Sequence, residues 1–211
     1  GYMLRYDPAA IKYKQLYNEK LIGTPLYIDV ESGSYLPNWR PEINYKNTVS
    51  ARNDLGGGIL LEMSHELDYI LWIFGKVKNI SASLYNSGFL ELDVEESANL
   101  ILTHSDGFPI SVHLDFNRRI SKRKCTVYGT NGEMKWDLLN QDLTLDITGH
   151  RKKKKKFKLH RDQLYINQLK HFFDCIIKNI QPRISLNSSY EVIRLIEAAR
   201  ESHKMNKQIL F

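Results

Sequence analysis

The sequence of 211 residues predicts an α+β fold in which a large, open, mainly antiparallel sheet has helices packed on one face. Between residues 80 and 147, apolar and polar residues alternate in a series of short segments. Turn sequences such as Ser-Asp-Gly and Thr-Asn-Gly separate these segments, and helical spacing of apolar residues precedes and follows them. Short connections indicate antiparallel neighbours in one meander-like sheet, and the alternation leaves one face for the helices.

The chain before this region predicts a helix and a strand. The helix is expected to open at Asp7 or Pro8 and to close by Gly23. Ile28 and Val30 then alternate with acidic residues, which is typical of a half-buried strand.

Two helices are expected to end the chain. The first carries apolar positions from Tyr165 to Ile176 and breaks near Asn179, whereas Ser188 or Ser189 is expected to cap the second. The basic run at residues 151–161, RKKKKKFKLHR, precedes them. It is compatible with contact to a polyanion, but a charged edge strand that guards the sheet against edge pairing is favoured, because no aromatic residues interleave with the charges.

The segment of most interest for function is residues 55–75, LGGGILLEMSHELDYILWIFG. Its glycines permit positive φ and close approach of a ligand, and one helix is expected to follow them. A second, titratable face of that helix, close to its N-terminus, is expected to carry Glu62, His65, Glu66 and Tyr69. A carboxylate and an imidazole there are candidates for general acid/base chemistry. The alternative is a tight turn followed by a helix with an ordinary boundary histidine.

The stretch from Leu36 to Asp54 has neither a helical nor a strand period, which is typical of a binding or lid loop. It carries residue types that stack on sugars or hydrogen-bond to sugars and anions, namely Trp39, Arg40, Tyr45, Lys46 and Arg52. A loop that only packs across the domain surface remains the alternative.

Composition places the chain among globular proteins. The net charge is +6, but much of the excess comes from the basic run, so nucleic acid is not an expected partner. No apolar run is long enough for a membrane span, and no targeting signal is visible. Cys125 and Cys175 lie far apart without a metal-binding pattern, so no metal site is predicted and a cytoplasmic location is expected.

The order of these parts resembles the C-terminal domain of the Gfo/Idh/MocA family, the relatives of glucose-fructose oxidoreductase and inositol dehydrogenase. The resemblance covers essentially the whole chain. Its most specific element is GGGILLEMSHELDYILWIFG, and four further segments support it in the same order: LRYDP, ANLILTHSDGFPISVHLDF, VYGTNGEMKWD and RISLNSSYEVIRLIEAARES.

The resemblance implies an oxidoreductase that uses NAD or NADP, bound mainly by an N-terminal Rossmann domain, to act on a hydroxyl of a sugar, amino sugar or polyol. By resemblance, His65 accepts the proton of the reacting hydroxyl, Glu62 is the nearest counterpart of the family's acidic residue, and Asp68 completes a His-x-x-Asp pattern. Residues expected to bind the sugar or nucleotide-sugar substrate are Arg5, Tyr6, Trp39, Arg40, Arg52, Gly57 and Gly58.

The sequence departs from the family pattern in two ways. Glu62 lies three positions before His65, where many relatives have four and an aspartate. No G-x-G-x-x-G follows a strand, and the family's Glu-Lys-Pro motif is missing. We therefore expect residues 1–211 to be a single substrate-binding and dimerisation domain, inactive alone, that forms a homodimer or tetramer through its sheet. A non-catalytic sugar-binding or dimerisation module of the same fold is the alternative.

Overall fold

The computed structural model describes residues 1–211, apart from the side chain of Arg161. Within this described chain, five α-helices are present: α1 (Pro8–Asn18), α2 (Ile59–Glu62), α3 (Ser64–Ile73), α4 (Arg161–Lys178) and α5 (Leu186–Met205). One sheet contains the nine described strands: β1 (Pro25–Gly33), β2 (Val77–Tyr85), β3 (Ser97–His104), β4 (Pro109–Asp115), β5 (Lys122–Gly129), β6 (Gly132–Asp137), β7 (Asp142–Ile147), β8 (Lys153–Lys156) and β9 (Ile209–Leu210). The α+β prediction is confirmed.

The sheet is not the simple meander that the sequence predicts. Its strand order is β8-β7-β6-β5-β1-β4-β3-β2-β9, so β1 separates β4 from β5 and pairs with β4 in parallel. Ile28 and Val30 of β1 are completely buried, as expected for a central strand. The physical reason for the insertion is that a central position buries these side chains more fully than an edge position would.

The helices pack on one face of this sheet. α1 packs on β6 and β7, α2 on β3 and β4, and α5 on β2. Asp7 caps α1 as predicted, because its side chain accepts a hydrogen bond from the backbone N–H of Ala9 at 2.7 Å and Pro8 occupies the first turn. Tyr13 is fully buried, and its hydroxyl hydrogen-bonds the carbonyl oxygen of Met134 at 3.1 Å.

The predicted single helix after the glycines is wrong, because the chain breaks at Met63. The backbone there has φ −98° and ψ 23°, which ends α2 after four residues before α3 begins at Ser64. The two helices have different packing partners, since α2 lies on β3 and β4 whereas α3 contacts α5 and the turn at residues 3–6. The predicted titratable face is also partly wrong: Glu66 and Tyr69 of α3 are completely buried.

The C-terminal helices agree with the prediction except at one cap. Asn179 adopts a left-handed conformation with φ 50° and ends α4. Ser185, not Ser188 or Ser189, caps α5, because its extended backbone lets its hydroxyl accept a hydrogen bond from the N–H of Ser188 at 3.1 Å. None of the helices in the described chain combines the length and apolar character that a membrane crossing needs.

The basic run forms the outer edge of the sheet, as the favoured interpretation predicts. β8 pairs with β7 alone. The ammonium group of Lys154 lies 2.9 Å from Asp142, and that of Lys152 lies 3.0 Å from Asp146. These charges mark a solvated edge that discourages pairing with another strand.

Candidate functional site

A cleft of about 520 Å³ opens where the start of α3 meets the end of β1 and the start of β5. We call it the histidine cleft. Its lining combines hydroxyl, charged and aromatic side chains, from Met3, Ser32, Gly33, Ser34, Trp39, Arg40, Glu62, Met63, His65, Ser121, Lys122, Arg123, Leu139 and Tyr165. Four of the sequence-predicted site residues therefore meet here: Trp39, Arg40, Glu62 and His65.

His65 lies in the first turn of α3 and is half-buried. Its ring packs edge-to-face on Tyr2, with ring centroids 5.6 Å apart. Its Nδ1 atom is buried and has no hydrogen-bond partner among the described atoms. Burial lowers the pKa of His65 below its ordinary value, the guanidinium of Arg123 lowers it further, and the carboxylate of Glu66 opposes them. The imidazole is therefore neutral at neutral pH, the form that accepts a proton.

An ion pair between Arg123 and Glu66 adjoins the histidine. Arg123 Nε donates to Glu66 Oε1 at 2.6 Å, which joins the start of β5 to α3 across 57 positions of sequence. Glu66 is completely buried, and its Oε2 has no partner among the described atoms. A buried carboxylate needs such a cation, and the same cation adds to the effect of burial in lowering the pKa of His65.

Glu62, the last residue of α2, lines the cleft together with His65. Its Oε2 accepts a hydrogen bond at 2.8 Å from the hydroxyl of Ser50, which is buried. The turn at Met63 lies between them, and the Met63 sulfur accepts a hydrogen bond from the Ser32 hydroxyl at 3.3 Å. The bend at Met63 therefore places a carboxylate and an imidazole on one cleft, although they lie on different helices.

The loop after β1 contributes Trp39 and Arg40. Trp39 Nε1 donates to the Ser34 hydroxyl at 2.8 Å, and the indole packs edge-on against Phe116 at 5.6 Å. Arg40 is exposed. An immobilised indole on a polar cleft is suited to stacking on a sugar ring.

Arg5 and Asp68 do not line the cleft, because they bind each other. Arg5 Nη2 lies 2.7 Å from Asp68 Oδ1, and Arg5 Nε lies 3.1 Å from Asp68 Oδ2. Both side chains are buried. Tyr6 lies elsewhere, with its ring under the guanidinium of Arg183 at 4.8 Å.

Arg52, Gly57 and Gly58 also lie outside the cleft lining. Arg52 forms an exposed ion pair with Asp54 at 2.5 Å. A Cβ at Gly57 would lie 2.3 Å from the carbonyl oxygen of Val49, so the chain itself fills that space. Gly58 has φ +107°, a conformation that favours glycine. The two glycines therefore serve the chain's own close packing.

Sequence reasoning missed the contributions of β5 and of the end of β1. Lys122 and Arg123 line the cleft, as do Ser32 and Ser34. They come together because β1 pairs with β5, with Ser32 opposite Arg123. A meander without β1 at its centre does not bring these residues together. The buried Glu66 signals that a cation is needed, but not which one.

The three glycines before α2 do not form a dinucleotide-binding turn. The three glycines precede a helix of four residues, and Gly57 packs against its own chain, so no pyrophosphate cradle is formed. Among the described residues, no group of three or more His, Cys, Asp or Glu side chains is arranged to hold a metal ion.

The fold and the cleft define a class of domain: an open, largely antiparallel sheet with helices on one face and a histidine and a carboxylate at a bent helix start. The sequence matches the family model described as the GFO/IDH/MocA C-terminal domain over residues 11–135. This chain belongs to that family. A comparison with curated proteins gave no match.

Solved structures share this fold. A levoglucosan dehydrogenase in complex with NADH and levoglucosan superimposes with a TM-score of 0.87 and 16% identity, covering 99% of this chain and 64% of that chain. An inositol dehydrogenase homolog from Azotobacter vinelandii, complexed with NAD+, has a TM-score of 0.83 and 13% identity, with coverage of 100% and 64%.

An aldose-aldose oxidoreductase from Caulobacter crescentus, complexed with glycerol, has a TM-score of 0.85 and 17% identity, with coverage of 100% and 63%. At these identities the likeness shows the fold. The chain spans about 64% of the length of the levoglucosan dehydrogenase.

Proposed function

We propose that this chain is the substrate-binding domain of an oxidoreductase that uses NAD or NADP to act on a hydroxyl of a sugar, amino sugar or polyol. The observation that carries the proposal is His65: a half-buried imidazole with a depressed pKa, on a polar cleft shared with Glu62. Oxidation of a hydroxyl releases a proton, and a neutral imidazole is suited to accept it.

The chain's residues bind, orient and deprotonate the substrate. His65 takes the proton of the reacting hydroxyl. Glu62, which is held by its hydrogen bond from Ser50, accepts a second hydrogen bond from the substrate and so orients the reacting carbon. Trp39 offers an aromatic face, and Ser32 and Ser34 offer hydroxyls to the sugar. The nicotinamide supplies the hydride acceptor when it is bound.

Membership in the family supports three further proposals, on the cofactor domain, the oligomer surface and the cellular location. A nucleotide-binding domain outside residues 1–211 would hold the cofactor, in keeping with the share of the neighbours' length that this chain spans. The open face of the sheet, opposite the helices, is the proposed dimer or tetramer surface. Two free, buried cysteines support a reducing, cytoplasmic location.

The test is a His65→Asn substitution in the full-length protein, assayed with NAD and NADP against a panel of sugars and polyols. We expect kcat to fall about 100- to 10,000-fold, the usual contribution of general acid/base catalysis, while cofactor affinity stays unchanged. His150→Asn is the matched control, because His150 is exposed at the turn before β8. Normal turnover of His65→Asn would overturn the proposal. If the unaltered full-length protein binds a sugar tightly but turns none over, the non-catalytic sugar-binding module is favoured instead.

A further inference from the structure

The charged groups that line the histidine cleft are mostly cations. Arg40, Lys122 and Arg123 line it, whereas Glu62 is the one carboxylate among the lining residues described. His65 is held neutral beside them. A neutral sugar has no group that forms an ion pair with a cation, whereas a carboxylate or phosphate does.

Two of these cations form ion pairs with carboxylates that do not line the cleft. Arg123 pairs with the buried Glu66 at 2.6 Å. Lys122 lies 2.9 Å from Glu31, which it shares with Arg118. Neither Glu31 nor Glu66 lines the cleft, and each offsets the charge of the cation that it pairs with. The charge of the cleft that is left for a negative group is therefore mainly that of the third cation, Arg40.

The third cation, Arg40, differs from the other basic residues of its loop. Lys46 pairs with Glu91, and Arg52 pairs with Asp54, whereas Arg40 has no ion-pair partner among the described side chains. The three residues lie in the same loop with acidic residues nearby in sequence, so their shared position in the loop does not explain why Arg40 alone lacks an ion-pair partner in the described chain. Arg40 is the cation of this loop that faces the cleft.

Hydrogen bonds hold the backbone that carries Arg40. The N–H of Trp39 donates to the carbonyl of Leu36 at 3.0 Å, and the N–H of Ile43 donates to the carbonyl of Arg40 at 3.0 Å. The indole of Trp39 is itself anchored on Ser34. Arg40 therefore follows Trp39 on a backbone that is held in place, and the planar fork of its guanidinium matches a carboxylate or phosphate.

We propose that the substrate of the histidine cleft is a sugar with an anionic group, a carboxylate or phosphate, that pairs with Arg40 and is supported by Lys122. This inference rests on the proposed function and narrows its substrate class. The cleft volume of about 520 Å³ falls within the usual range for small-ligand pockets, about 300–1,000 Å³. The hydroxyl presented to His65 lies on the same sugar, away from the anionic group.

The first experiment compares three sugars with the same ring: glucuronate, glucose 6-phosphate and glucose. Each is titrated calorimetrically into the 211-residue chain and assayed with the full-length protein and NAD or NADP. We expect the affinity and kcat/KM for at least one charged sugar to exceed those for glucose by about 10- to 100-fold, the contribution of one charge-assisted hydrogen-bonding pair. The ratio between glucuronate and glucose 6-phosphate identifies the anionic group. Raising the ionic strength should weaken only the charged sugars.

The second experiment assigns the effect to Arg40. Arg40→Gln should raise KM for the preferred charged sugar about 10- to 100-fold more than it raises KM for glucose, because only the charged sugar loses an ion pair. Arg40→Lys should restore part of the affinity, because it keeps the charge without the fork. Arg151→Gln is the control, since it removes the same charge from an exposed site before β8.

Equal affinity for glucose and both charged sugars, or an equal loss for all three in Arg40→Gln, would overturn the inference. That outcome leaves the proposed function intact if turnover of glucose still depends on His65. Failure of every sugar and polyol to be turned over would instead defeat the proposed function. The two failures are therefore distinguishable.

Discussion

Arg5 and Asp68 form a bidentate ion pair that is almost completely removed from solvent. Arg5 Nη2 lies 2.7 Å from Asp68 Oδ1, and the exposed fractions of the two side chains are 5% and 0%. The pair joins the turn at the start of the chain to α3. The backbone oxygen of Arg5 also accepts a hydrogen bond at 3.0 Å from Arg183, so three distant segments meet here.

Asp68→Asn is therefore expected to destabilise the fold. Removing one partner of a buried ion pair leaves the other charge uncompensated, which costs about 3–5 kcal/mol of the free energy of unfolding. Urea denaturation of the chain measures this loss. In the full-length protein, the folded fraction of the variant should keep its kcat, because Asp68 does not line the histidine cleft.

Glu191→Gln is the matched control, because Glu191 pairs with Arg194 at 3.0 Å on an exposed face of α5. An exposed pair is worth at most about 1 kcal/mol. If Asp68→Asn unfolds like the native chain but abolishes turnover, Asp68 takes part in the reaction, as the His-x-x-Asp resemblance allows.

The stability of the chain should depend on pH through His65. Its pKa is lowered in the fold by burial and by Arg123, so the unfolded chain binds the proton more tightly. The free energy of unfolding therefore falls as pH drops through the ordinary histidine value, about 6.5, towards the folded value. Above that window the contribution is fully present.

His65→Asn should remove this part of the pH dependence, and His150→Asn is the control substitution at an exposed site. The quantity to measure is the difference in unfolding free energy between variant and native chain at several pH values. A difference that is constant across the window would show that His65 titrates alike in both states.

Local sequence patterns predict most elements of this fold but not the path of the sheet. Asp7 and Asn179 mark helix ends through local chemistry that is visible in sequence. The central position of β1 depends on pairing with β4 and β5, whose partners lie about 80 to 100 positions away, such as Ile110 opposite Ile28. The local alternation of apolar and polar residues does not show which strands β1 pairs with.

The candidate site shows the same division. Glu62 and His65 are close in sequence, so their shared cleft could be predicted, even though the chain breaks at Met63 and places them on two helices. Arg123 could not, because it reaches His65 and Glu66 only through the register of β5. Asp68 has the residue type of a catalytic group, but burial against Arg5 gives it a structural setting that only the tertiary fold reveals.

Gly57 should tolerate alanine less well than Gly56. A Cβ at Gly57 would lie 2.3 Å from the carbonyl oxygen of Val49 and 2.7 Å from that of Arg52, and backbone atoms cannot move away as a flexible side chain does. Gly56 has open space, so Gly56→Ala meets only the strain of its left-handed φ of +78°, about 1–2 kcal/mol.

Urea denaturation of both alanine variants tests this difference. Gly57→Ala is expected to lose more stability than Gly56→Ala and to disturb the loop that carries Ser50, the hydrogen-bond donor to Glu62. Equal losses would mean that the loop shifts freely, and the close packing at Gly57 would then carry no constraint.

The charge of Arg123 should contribute to the lowered pKa of His65, beside the larger effect of burial. Its guanidinium lowers the pKa of His65, so Arg123→Gln is expected to raise that pKa, whereas Arg123→Lys keeps the charge and should change it less. The ring resonances of His65, followed by NMR across a pH titration of the chain, report this directly.

In the full-length protein, the acid limb of kcat/KM should move to higher pH in Arg123→Gln, because the neutral imidazole is the active form. Loss of the partner of the buried Glu66 also destabilises the fold, so the titration is compared only where each variant remains folded. An unchanged or lower His65 pKa in Arg123→Gln would mean that burial alone depresses it, and that the ion pair at Glu66 only joins β5 to α3.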